Sequence, residues 1–315
     1  MQKTLNIFIS DELQKSERAR LLAEAPTDTF FWHPHYEDQT EPPPSDFLKC
    51  QICLGNVPPD WIALNPELKW IQLLSIGFGE YLHLDWQQLA DRIQLTNIAG
   101  FFTEPVAQSM LAGLLALYRG LDQLAVLKEA KQWVGDPLRG GFKTLDRANV
   151  VLFGYGAINR RFEELIQPFG CQTICLSSKT GLDDLDQALP SADVVVSTVP
   201  DTPSTQNIFS AKRLELLKKT AIFINFGRGS VIDEDALVQR LHDSRLGGAV
   251  IDVTQSEPLS NNHGLWNCPN TIITQHTGGG TDDERPKKIE WFCDNLKRFR
   301  QGIPLLGEVD FKRGY

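Results

Sequence analysis

Between Ala148 and Gln275 the chain carries six short apolar runs: NVVLFG, QTICLS, DVVVSTV, AIFINF, GAVIDV and TIITQ. Segments of crossover length separate them, some helical in pattern and some loop-like. Apolar strands alternating with crossovers define a doubly wound parallel sheet, whose ligands bind in the crevice beyond the carboxyl ends of the strands. The first hundred residues repeat the theme on a smaller scale. LNIFIS, KCQICLG, KWIQLLSI and IQLTNIA read as strands, and the Pro-rich TEPPPSDF as a loop, because proline removes a backbone donor and fixes φ.

The chain of 315 residues is therefore divided into a small α/β domain over 1–98, a larger one over 99–280, and a segment over 281–315 that returns to the first domain. A charged helix is expected around DDERPKKIEWFCDNLKRF in that return. Another long helix is expected to start at Thr103 as N-cap, with Pro105 tolerated in its first turn. Val106, Met110, Leu114, Leu117 and Leu121 mark one apolar face of it, and Ala107, Leu111 and Leu115 a second. A helix apolar on two faces must be covered on both, either deep within one subunit or by a second copy of the chain about a two-fold axis; the second is favoured and makes a homodimer.

Bulk properties narrow the function. Asp and Glu outnumber Lys and Arg by 40 to 31, for a net charge of -9, and nucleic acid as partner is excluded because phosphate neutralisation needs a basic face. The start MQKTLNIFIS has neither the basic end nor the apolar stretch of a secretory signal, and no apolar run reaches the ~18 residues of a membrane span. The reading is a cytoplasmic protein with no membrane partner. Its six cysteines, including the Cys50/Cys53 pair, lack a second pair at metal-ligand spacing and read as free thiols, with no metal site. HPH at 33–35 reads as solvated surface.

VVLFGYGAINRRF places Gly154 and Gly156 after a strand and before a helix, with Ala157 and Ile158 opening that helix. Glycines there give a tight turn and let backbone N–H groups approach a pyrophosphate at the helix N-terminus, as in a Rossmann-type dinucleotide site. Asn159 stands where a third glycine is usual, and its Cβ is expected to loosen helix-to-strand packing. At the end of the following strand, Ser177, Ser178 and Lys179 stand where an acidic residue would select NAD. Hydroxyls and an ammonium suit a 2′-phosphate, so NADP is expected ahead of NAD.

Three polar groups follow later strands of the same series: Arg228 in NFGRGSVIDEDAL, Glu257 in IDVTQSEPL and His276 in TIITQHTGGG. Taken singly, each has a dull explanation as surface loop, turn or structural histidine; in series on one sheet edge they outline acid/base chemistry. With them the sequence resembles the D-isomer-specific 2-hydroxyacid dehydrogenase family, the glyoxylate/hydroxypyruvate reductases in particular. ELKWIQLLSIGFGEY, TEPVAQSMLAGLLALYRGL, VPDTPSTQNIF, INFGRGSVIDEDALVQRL, GGAVIDVTQSEPL and ITQHTGG occur in the family's order, most strongly from about residue 70 to 280.

The resemblance implies a flavodoxin-like substrate domain beside the Rossmann-type one, and an NAD(P)-dependent enzyme acting on a small 2-keto acid such as glyoxylate or hydroxypyruvate. It implies that Arg228 binds the substrate carboxylate and polarises the carbonyl, that His276 is the general acid/base, and that Glu257 holds the histidine. It gives Ile76 and Gly77 the substrate carboxylate. Val199, Pro200 and Thr205 fall to the adenosine side, Asp252 to the nicotinamide carboxamide, and Phe226, Gly227 and Gly278 to the same cofactor site. The residues agree with those roles. Hydride addition builds negative charge on a carbonyl oxygen, a protonated imidazole bonds to it and delivers its proton, and a neighbouring carboxylate favours that protonated ring. A second reading, from another class, is a nucleotide-sensing interaction protein that keeps the fold. Phe101 and Phe102 either close over a substrate side chain or pack at a hinge between the domains.

Overall fold

A computed structural model describes residues 4–33 and 42–311. Its strands are β1 (Asn6–Ile9), β2 (Thr29–Trp32), β3 (Ile52–Leu54), β4 (Trp70–Gln72), β5 (Gln94–Thr96), β6 (Asn149–Phe153), β7 (Gln172–Leu176), β8 (Val194–Ser197), β9 (Ile222–Asn225), β10 (Gly248–Ile251) and β11 (Thr271–Ile273). Its helices are α1 (Lys15–Glu24), α2 (Pro59–Leu64), α3 (Trp86–Leu89), α4 (Thr103–Tyr118), α5 (Leu121–Glu129), α6 (Ala157–Ile166), α7 (Leu182–Ala188), α8 (Ala211–Glu215), α9 (Glu234–His242) and α10 (Glu284–Gln301). The chain forms two compact units, residues 1–101 with 281–315, and residues 102–280.

The first unit is a five-stranded sheet in the order β2-β1-β3-β4-β5, parallel throughout, which is the flavodoxin-like order. Helix α10 belongs here because of what it buries. Trp70 on β4 stacks on Phe292 and Phe299 of α10 at 5.1 and 5.5 Å, and the buried Asn295 amide donates to Gln72 Oε1 at 2.8 Å. Strand β2, in TFFW, was not among the expected strands. It lies at the sheet edge, half-buried, and its last residues run straight into the HPH stretch. His33 departs from the solvated-surface reading, because its ring stacks on Phe8 at 5.0 Å and contacts Asp46 at 3.2 Å. Pro34 and His35 lie outside the described residues. Cys53 on β3 and Cys50 just before it are buried free thiols, as expected. Phe101 packs edge-on against Trp291 of the same unit.

The second unit is a six-stranded parallel sheet, β11-β10-β9-β8-β6-β7, whose order reverses between β6 and β8. All six expected runs are its strands. Strands β8, β9 and β10 are buried along their whole length, which is why their sequences are continuously apolar. Helix α4 covers one face with Val106, Ala107, Met110 and Leu114, and Gly113 is small enough to lie against Val250. Its start is not as expected. Phe102 is the N-cap, no side chain caps it, and Thr103 is already helical. Its end differs too, because Gly120 adopts a left-handed φ of 62° and turns the chain 70° into α5. Leu121 leaves the apolar face and is exposed. Phe102 packs with the α4 core, beside Gly279. No single described helix is long and apolar enough to cross a membrane, and no described group of His, Cys, Asp and Glu is arranged to hold a metal.

Candidate active site

The carboxyl ends of β6 to β11 carry every expected site residue of the second unit. At the reversal of strand order, Gly154 takes a φ of 86°, open to glycine at no steric cost, and a Cβ on it would stand 2.7 Å from the Val199 side chain. A Cβ on Gly227 would stand 2.5 Å from the Val199 carbonyl oxygen. The loops after β6, β8 and β9 thus converge on Val199. A Cβ on Gly156 would meet only Gly154 O, at 3.9 Å, and no side chain caps the N-terminus of α6, so its first backbone donors are left for an anion. The cradle fits a dinucleotide pyrophosphate, with Ala157 exposed and Ile158 half-buried on the first turn of the helix. Thr205 ties off the neighbouring loop by donating to Pro200 O at 2.6 Å.

Asn159 does not loosen this packing. Its side chain is fully buried and its amide donates to Phe153 O and Gly154 O at 3.1 and 3.2 Å, so hydrogen bonds stitch helix to strand where a glycine would have allowed close contact. After β7, Ser177 is half-buried, while Ser178 and Lys179 are exposed. They form a tight turn in which Thr180 Oγ1 donates to Ser177 O at 2.6 Å.

The acid/base pair is assembled across the ends of β10 and β11. His276 Nδ1 lies 2.6 Å from Glu257 Oε2, and Glu257 Oε1 accepts Thr254 N–H at 3.0 Å. Gln275 and His276 both hold left-handed φ values, 53° and 57°, uncommon for residues with a Cβ. His276 N–H, donating to Asp252 O at 2.6 Å, fixes that turn. The buried Asp252 fixes it again, since its Oδ1 accepts from Thr274 Oγ1 at 2.5 Å and Gly278 N–H at 3.0 Å. One carboxylate oxygen of Asp252 is thereby committed to the histidine turn, a contribution sequence reading missed. Phe226 packs beneath Gly278, where any Cβ would meet its ring. With Nδ1 held by the carboxylate, the histidine presents Nε2 outward, its side chain 56% exposed.

Burial alone would raise the Glu257 carboxyl. The bond from His276, the Thr254 N–H and the charges of His276 and Arg228 outweigh it and hold the group below its ordinary value. Arg228 is half-buried, donates to Gly227 O at 2.7 Å and, among the described residues, makes no ion pair. Its remaining donors form a planar fork suited to a carboxylate. In the first unit, Asn97 donates to Ile76 O at 2.8 Å and Ser75 to Gly77 O at 2.7 Å. The Ile76 and Gly77 N–H groups donate to no described residue.

Comparison with known proteins agrees with this fold. The profile of the D-isomer specific 2-hydroxyacid dehydrogenase NAD binding domain matches residues 111–278, more than half of the chain. A glyoxylate reductase of Thermofilum pendens is 30% identical over 80% of this chain and 77% of its own length. A glyoxylate/hydroxypyruvate reductase B of Yersinia pestis is 29% identical, with 77% of each chain covered. A solved structure of a D-isomer specific 2-hydroxyacid dehydrogenase family protein from Aeromonas salmonicida superposes with a TM-score of 0.79 at 27% identity, over 98% of this chain and 100% of that one. The chain belongs to the D-isomer-specific 2-hydroxyacid dehydrogenase family. It is an NAD(P)-dependent oxidoreductase that transfers a hydride between its nicotinamide cofactor and a 2-keto or 2-hydroxy acid.

Proposed function

We propose that the protein is an NADPH-preferring reductase of small 2-keto acids, with glyoxylate and hydroxypyruvate as its first candidate substrates, and that Arg228, Glu257 and His276 carry the reaction. The single observation behind the residue roles is the 2.6 Å contact between His276 and Glu257. It joins an exposed imidazole to an anion at the strand ends where a Rossmann-type sheet binds its ligand.

A nicotinamide cofactor held in the cradle after β6 would supply the hydride. Glu257 accepts a hydrogen bond from His276 Nδ1–H, orienting the ring so that Nε2 carries the proton for the carbonyl oxygen. Positioned proton transfer of this kind contributes about 10² to 10⁴ in rate. Arg228 grips the substrate carboxylate and stabilises charge on the adjoining oxygen. The Ile76 and Gly77 N–H groups offer further donors to a carboxylate. Asp252 holds the histidine turn with one oxygen, and the other would serve the carboxamide. The substrate choice is supported by the two named reductases, and the NADPH choice by Ser177, Ser178 and Lys179 with no carboxylate at the end of β7.

Following absorbance of NADPH and NADH against a panel of 2-keto acids tests both. Turnover of glyoxylate or hydroxypyruvate, with a higher kcat/KM for NADPH, is expected. A ratio favouring NADH refutes the cofactor preference, and silence across the panel at high enzyme concentration refutes the substrate.

The homodimer belongs to this proposal. Helix α5 buries none of its residues and exposes Leu121, Leu124 and Val126, and Trp133 beyond it is 98% exposed. Isolated apolar side chains are ordinary on a surface, but a patch of this kind marks an interface. Light scattering is expected to give twice the 35.4 kDa chain mass, and a Trp133→Glu, Val126→Glu double variant the single mass. A wild-type monomer contradicts it. A reducing compartment such as the cytoplasm is proposed with it, from six cysteines that are all free thiols.

A further inference from the structure

Behind the His276–Glu257 pair lies a second carboxylate with no place in the mechanism so far. Glu234, the first residue of α9, is only 6% exposed. Its Oε1 accepts Gln255 N–H at 2.6 Å and its Oε2 faces His263 Nε2 at 3.4 Å. His263 Nδ1 accepts Leu265 N–H at 3.3 Å, which turns the other ring nitrogen toward Glu234.

The peptide that Glu234 grips adjoins the one that aims Glu257. Thr254 N–H, one residue before Gln255, donates to Glu257 Oε1 at 3.0 Å, and Thr254 Oγ1 closes the turn on Ser256 O at 2.9 Å. Gln255 Nε2 donates to Ile232 O at 2.7 Å. The same stretch lies against the turn that carries Arg228, where a Cβ on Gly229 would fall 2.0 Å from the Thr254 carbonyl carbon and 2.4 Å from Gln255 N. A shift of residues 254 and 255 therefore moves the Glu257 carboxylate away from His276 and disturbs the seat of Arg228.

A simple helix cap does not need this arrangement. Asp233 already caps α9 by accepting Ala236 N–H at 3.0 Å. Burying a carboxylate is costly unless it is bonded, and burial raises the Glu234 carboxyl, with Asp235 and Glu257 adding to the rise against Gln255 N–H and His263. A neutral residue would avoid that cost. Its return is a charged acceptor, the stronger kind, on one backbone N–H.

We infer that Glu234, itself held by His263, is a positioning residue for proton transfer: it clamps the 254–257 turn so that the Glu257 carboxylate meets His276 Nδ1. The inference rests on the roles given above to Glu257 and His276.

The test compares Glu234→Asp and Glu234→Gln with the wild-type holoenzyme. Aspartate withdraws the carboxylate by one C–C bond, about 1.5 Å, and breaks the bond to Gln255 N–H. Its kcat is expected to fall about 10-fold, the worth of one charged hydrogen bond. The basic limb of its kcat/KM profile is expected to move to lower pH, because the imidazolium loses its aligned anion, while KM for NADPH stays within about 2-fold. Glutamine keeps an acceptor at full length and is expected to restore the limb and most of kcat. The groups facing Glu234 during that titration are His263, Asp235 and Glu257. If both variants lose kcat and melting temperature together with the limb unmoved, Glu234 only supports the fold and the inference fails. Should Glu234→Asp not fold, His263→Gln serves instead, with a smaller move of the limb in the same direction expected and an unmoved limb overturning the inference. A wild type silent on every keto acid sinks the dehydrogenase roles themselves, whereas an active wild type with unresponsive variants sinks only the Glu234 assignment.

Discussion

Two strand-end turns of the same sheet are built in opposite ways. The turn at 254–257, after β10, is held by Glu234 and Ile232 from the α9 side, by the Arg228–Gly229 turn beneath it and by His276. The turn at 177–180, after β7, is bonded to itself. Thr180 N–H and Oγ1 both reach Ser177 O, Ser177 N–H reaches Thr180 Oγ1, and Lys179 N–H reaches Ser177 Oγ. The turn proposed to serve proton transfer is thus over-determined by residues far away in sequence, while the side chains proposed to choose the cofactor stand on an independent loop. The two proposed roles fall on separate turns, and substitutions at the two turns are expected to behave differently.

The largest contrast is expected at the braced edge. Arg228→Lys keeps the charge but loses the planar fork, and kcat/KM for the keto acid is expected to drop about 10² to 10³-fold with cofactor affinity retained. A drop below 10-fold would show that the fork is not used. Glu257→Gln is expected to lower kcat by about 10 to 10²-fold and to carry the basic limb of the pH profile to lower pH, because the imidazolium loses its anion. The acid side has a definite sign. The Glu257 carboxyl is held below its ordinary 4.5, so the stabilisation its anion gives is complete above that value and is lost only as pH falls through the lower, folded-state one. Acid melting that sets in well above pH 4.5 must come from other groups. The smallest disturbance is expected at the self-contained turn. Ser177→Asp with Lys179→Ala is expected to shift the NADPH to NADH ratio of kcat/KM by about 10-fold or more toward NADH, while stability changes by no more than about 0.5 kcal/mol. A large loss of melting temperature there would erase the contrast between the two turns.

What the sequence made legible follows the same division. The six runs from NVVLFG to TIITQ were readable because parallel strands buried on both faces are continuously apolar. The half-buried edge strand Thr29–Trp32 gave no such signal, since its aromatics sit beside charged and Pro-rich stretches. The apolar repeat of α4 runs on past Gly120 without a break, so only the backbone reveals the bend. Arg228, Glu257 and His276 were visible through their strand-end positions and motifs. The supporting residues were not. Glu234 reads as an ordinary acidic first turn of a helix, and its aim at Gln255 depends on the packing of α9 against a loop about twenty residues later. Asn159 looked like a defect because a missing glycine is visible in sequence, whereas two buried hydrogen bonds are not.

His276 is the group proposed to give up the proton. Steady-state turnover of His276→Ala, measured beside NADPH affinity by cofactor fluorescence, tests this most directly. A loss of at least about 10² in kcat is predicted, with the NADPH dissociation constant within about 2-fold of wild type. Undiminished turnover in that variant would contradict the account.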